Sequence, residues 1–207
     1  MVPKLAAAAL LLFLSVPARA ATTVYDNMVP VSTIRNGREN DVNAPNWLHA
    51  DGFQFASAAT FNTLTWHGIR AGNPESFRLR IYPMAGDVPA MNPTIDLSVG
   101  LVIRSDSGYR DPYQSIIYSY SAEFADQTLA AGSYAISIYN DSNDGVPWLW
   151  GVGNNRNGSF MILKGDTAWR NVTGAPEFSF TLSQVPESGS VALLVAAVPV
   201  ILSRRRR

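Results

Sequence analysis

Residues 21–182 predict an all-β fold, an antiparallel β-sandwich of jelly-roll form. Three observations carry this. Alternation of apolar and polar residues with period two recurs along the stretch. The segments between these runs are clusters of Gly, Asn, Asp and Pro, which supply positive φ, Asx turns and fixed φ. No helix-period run, heptad, long repeat or βαβ alternation interrupts the pattern.

The runs can be taken in order. "GFQFAS" (52–57) and "FNTLTWHGIR" (61–70) form an early strand pair. "SFRLRIY" (76–82) puts Phe77, Leu79 and Ile81 on one face and Arg78, Arg80 and Tyr82 on the other. "VGLVIR" (99–104), "SIIYSYSAEF" (115–124) and "SYAISIYN" (133–140) follow. "PWLWGV" (147–152), "GSFMILKG" (158–165) and "EFSFTLSQ" (177–184) complete about nine strands; the last turns Phe178, Phe180 and Leu182 inward. "MAGDVPAMNP" (84–93), "SDSGYRDP" (105–112), "NDSNDGVP" (140–147), "GNNRNG" (153–158) and "TGAP" (173–176) read as turns.

Composition bounds the function. Hydrophobic residues make up 47% of the 207, enough for a packed core, and charged residues 15%, sparse for a soluble domain. The zero formal net charge hides an uneven distribution: residues 21–185 carry 10 basic and 15 acidic side chains, a net of −5. A mildly acidic body lacks the basic footprint of a nucleic-acid binder. With no cysteine, disulfides, thiolate catalysis and zinc–thiolate sites are excluded.

The two ends read as addresses. Lys4, the apolar block Leu5–Val16 and the small-x-small site Ala18-Arg19-Ala20 have the order of a secretory signal peptide, with signal peptidase expected to cut after Ala20. At the other end Val191–Leu202 is continuously apolar, and Arg204, Arg205, Arg206 and Arg207 close the sequence. A helix of about 15 residues spans about 22 Å, less than the hydrocarbon layer, and arginine side chains snorkel to extend its reach. By the positive-inside rule the arginines stay cytoplasmic and the body lies outside.

Val185-Pro186-Glu187, then the apolar helix, then the terminal arginine cluster, resembles the bacterial PEP-CTERM sorting signal over residues 183–207. The family pattern is Pro-Glu-Pro, and position 188 here is serine. The resemblance implies processing by exosortase, a membrane protease, in an exopolysaccharide-producing Gram-negative cell. It implies transient anchoring in the inner membrane, then release to the cell surface or extracellular matrix. Two stretches, "LAAGSYAISIYN" (129–140) and "ADGFQFASAATFNTLTWHGI" (50–69), resemble exported sandwich domains found beside such tails and carbohydrate-binding modules.

Candidate chemistry in the body is sparse. His49 and His67 are the available imidazoles, each near a tryptophan, and no Gly-x-Ser-x-Gly elbow occurs. They read as strand residues. Asp51, Glu75, Glu123 and Glu177 are carboxylates available for glycosidic chemistry should two of them flank a cleft. "DSNDG" (141–145), "NGREND" (36–41) and "SDSG" (105–108) have calcium-loop composition without EF-hand spacing, so no cofactor is expected and a structural calcium is a minority reading. Trp148 and Trp150, two apart on a strand, point the same way. Facing outward they form a stacking platform for sugar rings, with Asn143, Asp144, Asn154 and Asn155 in the flanking loops to bind hydroxyls; facing inward they fill the core. The expectation is therefore a non-enzymatic exported matrix protein, with exopolysaccharide as the candidate ligand. The alternatives are a glycan hydrolase or lyase, and a purely structural matrix component.

Overall fold

A computed structural model describes residues 20–34, 36–40, 47–69, 75–142, 147–153, 158–164 and 168–186. One compact unit spans Ala21–Val185. Met1–Ala20 and Pro186–Arg207 group apart from it, and of these only Ala20 and Pro186 are among the described residues.

The unit is all β, with one 3-10 turn at Val31–Thr33. Its strands are β1 (Thr22–Asn27), β2 (Asn36–Glu39), β3 (Trp47–Phe55), β4 (Ala59–Ile69), β5 (Phe77–Ala85), β6 (Val88–Pro89) and β7 (Ile95–Val99). They continue as β8 (Val102–Arg110), β9 (Ile116–Leu129), β10 (Gly132–Asn140), β11 (Leu149–Val152), β12 (Gly158–Lys164), β13 (Trp169–Ala175) and β14 (Phe180–Gln184). They make two seven-stranded antiparallel sheets. In the first, β4 is the hub: β9 and then β8 lie on one side, while β14 with β1 and β11 with β2 share the other. The second runs β13-β12-β3-β10-β5, with β6 and β7 both on the far side of β5.

The alternation read from the sequence explains which faces meet. Phe77, Leu79 and Ile81 are all fully buried and join Phe53, Phe55, Ile136, Ile138 and Phe160 of their sheet. These pack against Leu64, Trp66, Tyr120, Phe180 and Leu182 of the other sheet. Aromatic contacts run through this core: Trp66 stacks on Tyr120 at 5.3 Å, and Phe77 stands edge-on to Trp148 at 5.0 Å. Gly68 makes room for Trp148, because a Cβ there would sit 2.5 Å from the indole.

Tyr82 departs from the expected polar face. It is buried on the opposite side of its sheet with Ala50, Ala135, Met161, Leu163 and Trp169. Its ring meets Trp169 at 5.2 Å, although β5 and β13 are separated by three strands. The second sheet therefore curls, nearly into a barrel, and the small Ala50 and Ala135 floor the curl.

Several boundaries also differ from the pattern. "VGLVIR" straddles the end of β7 and the start of β8. "SDSGYRDP" is mostly strand: β8 runs on to Arg110 through a bulge at Gly108, whose φ is +80°, and the turn falls at Asp111–Ser115. "TGAP" is mostly the last part of β13. β1, β2, β6 and β13 have no alternation long enough to be read.

A polar hub joins the sheets. The β3–β10 ladder ends at Asp51↔Ile136. Beyond it the buried Asn40 side chain stands in for a strand: its amide donates to the carbonyls of His49 (3.1 Å) and Ile138 (2.7 Å) and accepts from the His49 N–H (3.0 Å). Its backbone N–H reaches the carbonyl of Trp148, the residue just before β11 of the other sheet. The "NGREND" stretch thus contributes a structural amide at Asn40; Asp41 lies outside the described residues.

Candidate functional site

A cleft of about 580 Å3 opens where the chain leaves β1 and β11 and approaches β14. Asp26, Asn27, Met28, Val29, Pro30 and Glu177 supply most of its wall, and Thr33 and Gly153 complete it. Asp26, Asn27 and the Glu177 backbone are held by their neighbours. Asp26 Oδ1 accepts from the Met28 N–H at 2.8 Å and from the Thr181 hydroxyl at 2.9 Å. Asn27 Nδ2 donates to Asp51 Oδ2 and to the Phe178 carbonyl, both at 3.0 Å, which leaves its Oδ1 as an acceptor. The Gly153 N–H donates to the Glu177 carbonyl at 3.1 Å. The wall therefore combines fixed oxygen acceptors with the apolar surface of Met28, Val29 and Pro30.

Asp51 lies buried behind Asn27. Burial pushes its carboxyl up to about 7, and the Glu177 carboxylate adds to the rise. Hydrogen bonds from the N–H groups of Phe178 (2.9 Å) and Gly52 (2.8 Å) and from Asn27 oppose it. Of the four carboxylates singled out by sequence, the fold brings Asp51 and Glu177 to this one place. Glu75 is elsewhere, bonded to the Tyr120 hydroxyl (2.8 Å) and Arg104 (3.0 Å), and Glu123 is exposed on β9. Asp26 and Asn27 were missed, because β1 gave no strand signal and nothing local marks it as a cleft wall.

Both histidines are buried strand residues. His67 Nδ1 pairs with the Ser179 hydroxyl at 2.8 Å, that hydroxyl also lies 3.0 Å from Met28 Sδ, and burial lowers the imidazole to about 4. His49 packs on Phe160 and Phe178.

The structure overturns the outward-facing tryptophan platform. Trp148 and Trp150 do share a direction, but it is inward: both are fully buried, Trp150 lying 4.3 Å from Phe178 with its indole N–H donating to the Ser179 carbonyl. The rings are drawn in because Gly68 and the aromatic core offer them a packed seat. Asn143, Asp144, Asn154 and Asn155 lie outside the described residues, as do Ala18, Glu187 and the four terminal arginines. Ala20 is exposed. Val185 is clamped: its carbonyl accepts from the Asn62 amide (2.7 Å) and its N–H donates to Asn62 Oδ1 (2.8 Å).

In "SDSG", Asp106 is occupied by Arg110 in a two-point ion pair. Among the described residues no group of three His, Cys, Asp or Glu is placed to hold a metal.

No protein-family model matches the chain, and no curated protein does. One structural similarity is to the cysteine protease and lectin-like domains of Cwp84, a surface-layer-associated protein of Clostridium difficile. Identity is 11% and the TM-score 0.46, over 68% of this chain and 33% of that one. The chain thus spans about a third of that protein's length.

Proposed function

We propose that this is an exported, non-enzymatic protein of the cell envelope or extracellular matrix. In this reading its β-domain, a jelly-roll-like sandwich, binds glycan in the cleft at Asp26–Pro30. A signal peptide sends it out through signal peptidase. A PEP-CTERM-like tail anchors it in the inner membrane until an exosortase releases it toward the exopolysaccharide. Support for the destination is the order of features at the two ends. Val185, the last residue of the compact unit, is tied down by Asn62, and in the sequence the Pro-Glu motif follows it directly.

The observation that carries the binding role is the pairing of oxygen acceptors, those of Asp26 and Asn27 held in place, with apolar surface on one wall. Asp26, Asn27 and Glu177 offer oxygens to sugar hydroxyls, and Met28, Val29 and Pro30 face the C–H side of a ring. Glu177→Ala and Asp26→Ala are each expected to weaken binding of the producing cell's exopolysaccharide about tenfold, the worth of one hydrogen bond to a charged group. Titration calorimetry with the exported protein measures this. Absence of binding by the wild type to that polymer and to a panel of neutral and acidic oligosaccharides removes the glycan reading.

A second reading has one observation in its favour. The buried, raised Asp51 beside Glu177 is the pattern of a carboxylic acid paired with a carboxylate. Against it, both Asp51 oxygens already accept hydrogen bonds and Asn27 stands between them and the cleft. Release of reducing ends from the polymer, lost in Glu177→Gln, decides for the enzyme.

A further inference from the structure

Strand β8 is an edge of the first sheet: it pairs with β9 on one side and, among the described residues, with no strand on the other. Edges of this kind are usually short or shielded by charge, because an open ladder invites another strand. Here the described residues expose five large apolar side chains, and four of them lie on or beside this strand. Leu101 is 86% and Ile103 67% exposed at its start, and Tyr109 and Tyr113 (80%) are exposed at and beyond its end.

We infer that β8 is the interface through which two copies of this chain pair, antiparallel, about a two-fold axis at Ser105. The sequence of the edge is self-complementary in that register. Arg104, which also holds Glu75 and lies over Tyr118, comes opposite Asp106 of the second copy, and Asp106, which also holds Arg110, opposite its Arg104, so pairing extends ion pairs already present within each copy into one network. Ser105 faces its own counterpart. The apolar start at Leu101 and Ile103 runs toward the Tyr109 end of the other strand. Neighbouring registers are opposed by charge. An axis at position 104 sets arginine against arginine, and one at 106 sets aspartate against aspartate. The bulge at Gly108 ends the straight run of the strand, which confines pairing to the stretch around Ser105. Pairing joins two first sheets into one continuous sheet and puts two clefts on one body, which multiplies avidity for a repeating polymer. The pairing itself does not depend on the glycan reading.

The cysteine-free chain permits a direct test. Directly opposed residues of an antiparallel pair have Cα atoms about 4.5–5.5 Å apart, within disulfide range. Ser105→Cys, an exposed position, is therefore expected to give a disulfide-linked dimer of the full chain on non-reducing electrophoresis. Ile103→Cys meets its own counterpart only about 13 Å away along the strand and is expected to run without a disulfide-linked dimer band on the same gel. Ser98→Cys, exposed on β7, is the control away from the interface. Adding Asp106→Arg to Ser105→Cys places arginine opposite Arg104 and is expected to cut the cross-linked fraction at least fivefold. Equal cross-linking at 105, 103 and 98, or none at 105 in protein with an intact β-sheet circular dichroism spectrum, overturns the inference. Sedimentation of the wild-type exported protein reads the same point without substitutions: a dimer is expected, and a monomer at tens of micromolar contradicts it.

Discussion

Trp148→Ala is expected to destabilise the β-domain by about 3–5 kcal/mol, the cost of emptying a large aromatic site in a close-packed core. Domains of this size are stable by only about 5–15 kcal/mol, so much of that margin goes with one side chain. The indole is fully buried, lies across Gly68 and stands edge-on to Phe77. Partial collapse is hindered because the seat is formed by β4 and β5, strands of opposite sheets that are each paired on both sides. Trp150→Ala belongs to the same class, with the further loss of the indole hydrogen bond to Ser179. Urea unfolding followed by fluorescence measures both. A midpoint within error of the wild type would place the rings at the surface. A loss of glycan binding in either variant therefore reports unfolding rather than a lost platform, which is why the cleft variants at Asp26 and Glu177 are the informative ones.

The second large effect is on pH dependence, where two buried groups act with opposite sign. Asp51 holds its proton to higher pH folded than unfolded, moving from 3.8 to about 7. Its contribution to stability is complete below about pH 4 and is lost as pH rises through 7, a swing of about 4 kcal/mol. His67 moves the other way, from 6.5 down to about 4. Its contribution is complete above pH 6.5 and is lost as pH falls toward 4. Between about pH 4 and 6.5 the folded state gains a proton at Asp51 where the unfolded state gains one at His67. The two slopes cancel there, and stability declines only above that window. Asp51→Asn is expected to unmask the His67 slope, so that stability rises with pH from 4 to 6.5. His67→Gln is expected to unmask the Asp51 slope, so that it falls. Urea midpoints measured from pH 4 to 8 give the sign. A profile that neither substitution tilts means that these groups do not titrate as their burial requires.

Strands with an uninterrupted alternation of side chains were legible in the sequence. Phe77-x-Leu79-x-Ile81 is the plainest case, since one face packs against the other sheet and the period of two survives intact. Tyr82 was not legible, because its burial comes from the curl that brings β13 over β5, a long-range property of the whole sheet. Asn40 was misread for a related reason: an asparagine between Glu39 and Asp41 has turn composition, and only the opening of the β3–β10 ladder makes its amide a strand surrogate. The spacing of Trp148 and Trp150 gave their common direction but not its sense, which depends on Gly68 lying on the neighbouring strand of the same sheet and on the aromatic core facing it. The cleft was half legible. Glu177 and Asp51 were available carboxylates in the sequence, but they are 126 positions apart, and no local signal ties either to Asn27.

In the proposed reading the two charged, apolar ends direct export and the cysteine-free, mildly acidic β-domain is what remains. Intact mass of the protein recovered from the membrane fraction and from the medium tests this most directly. The account predicts a membrane form lacking about 20 N-terminal residues and a released form that has also lost about 20 at the C-terminus. A full-length species in the cytosol, with Met1 and the Arg204–Arg207 cluster both retained, would contradict it.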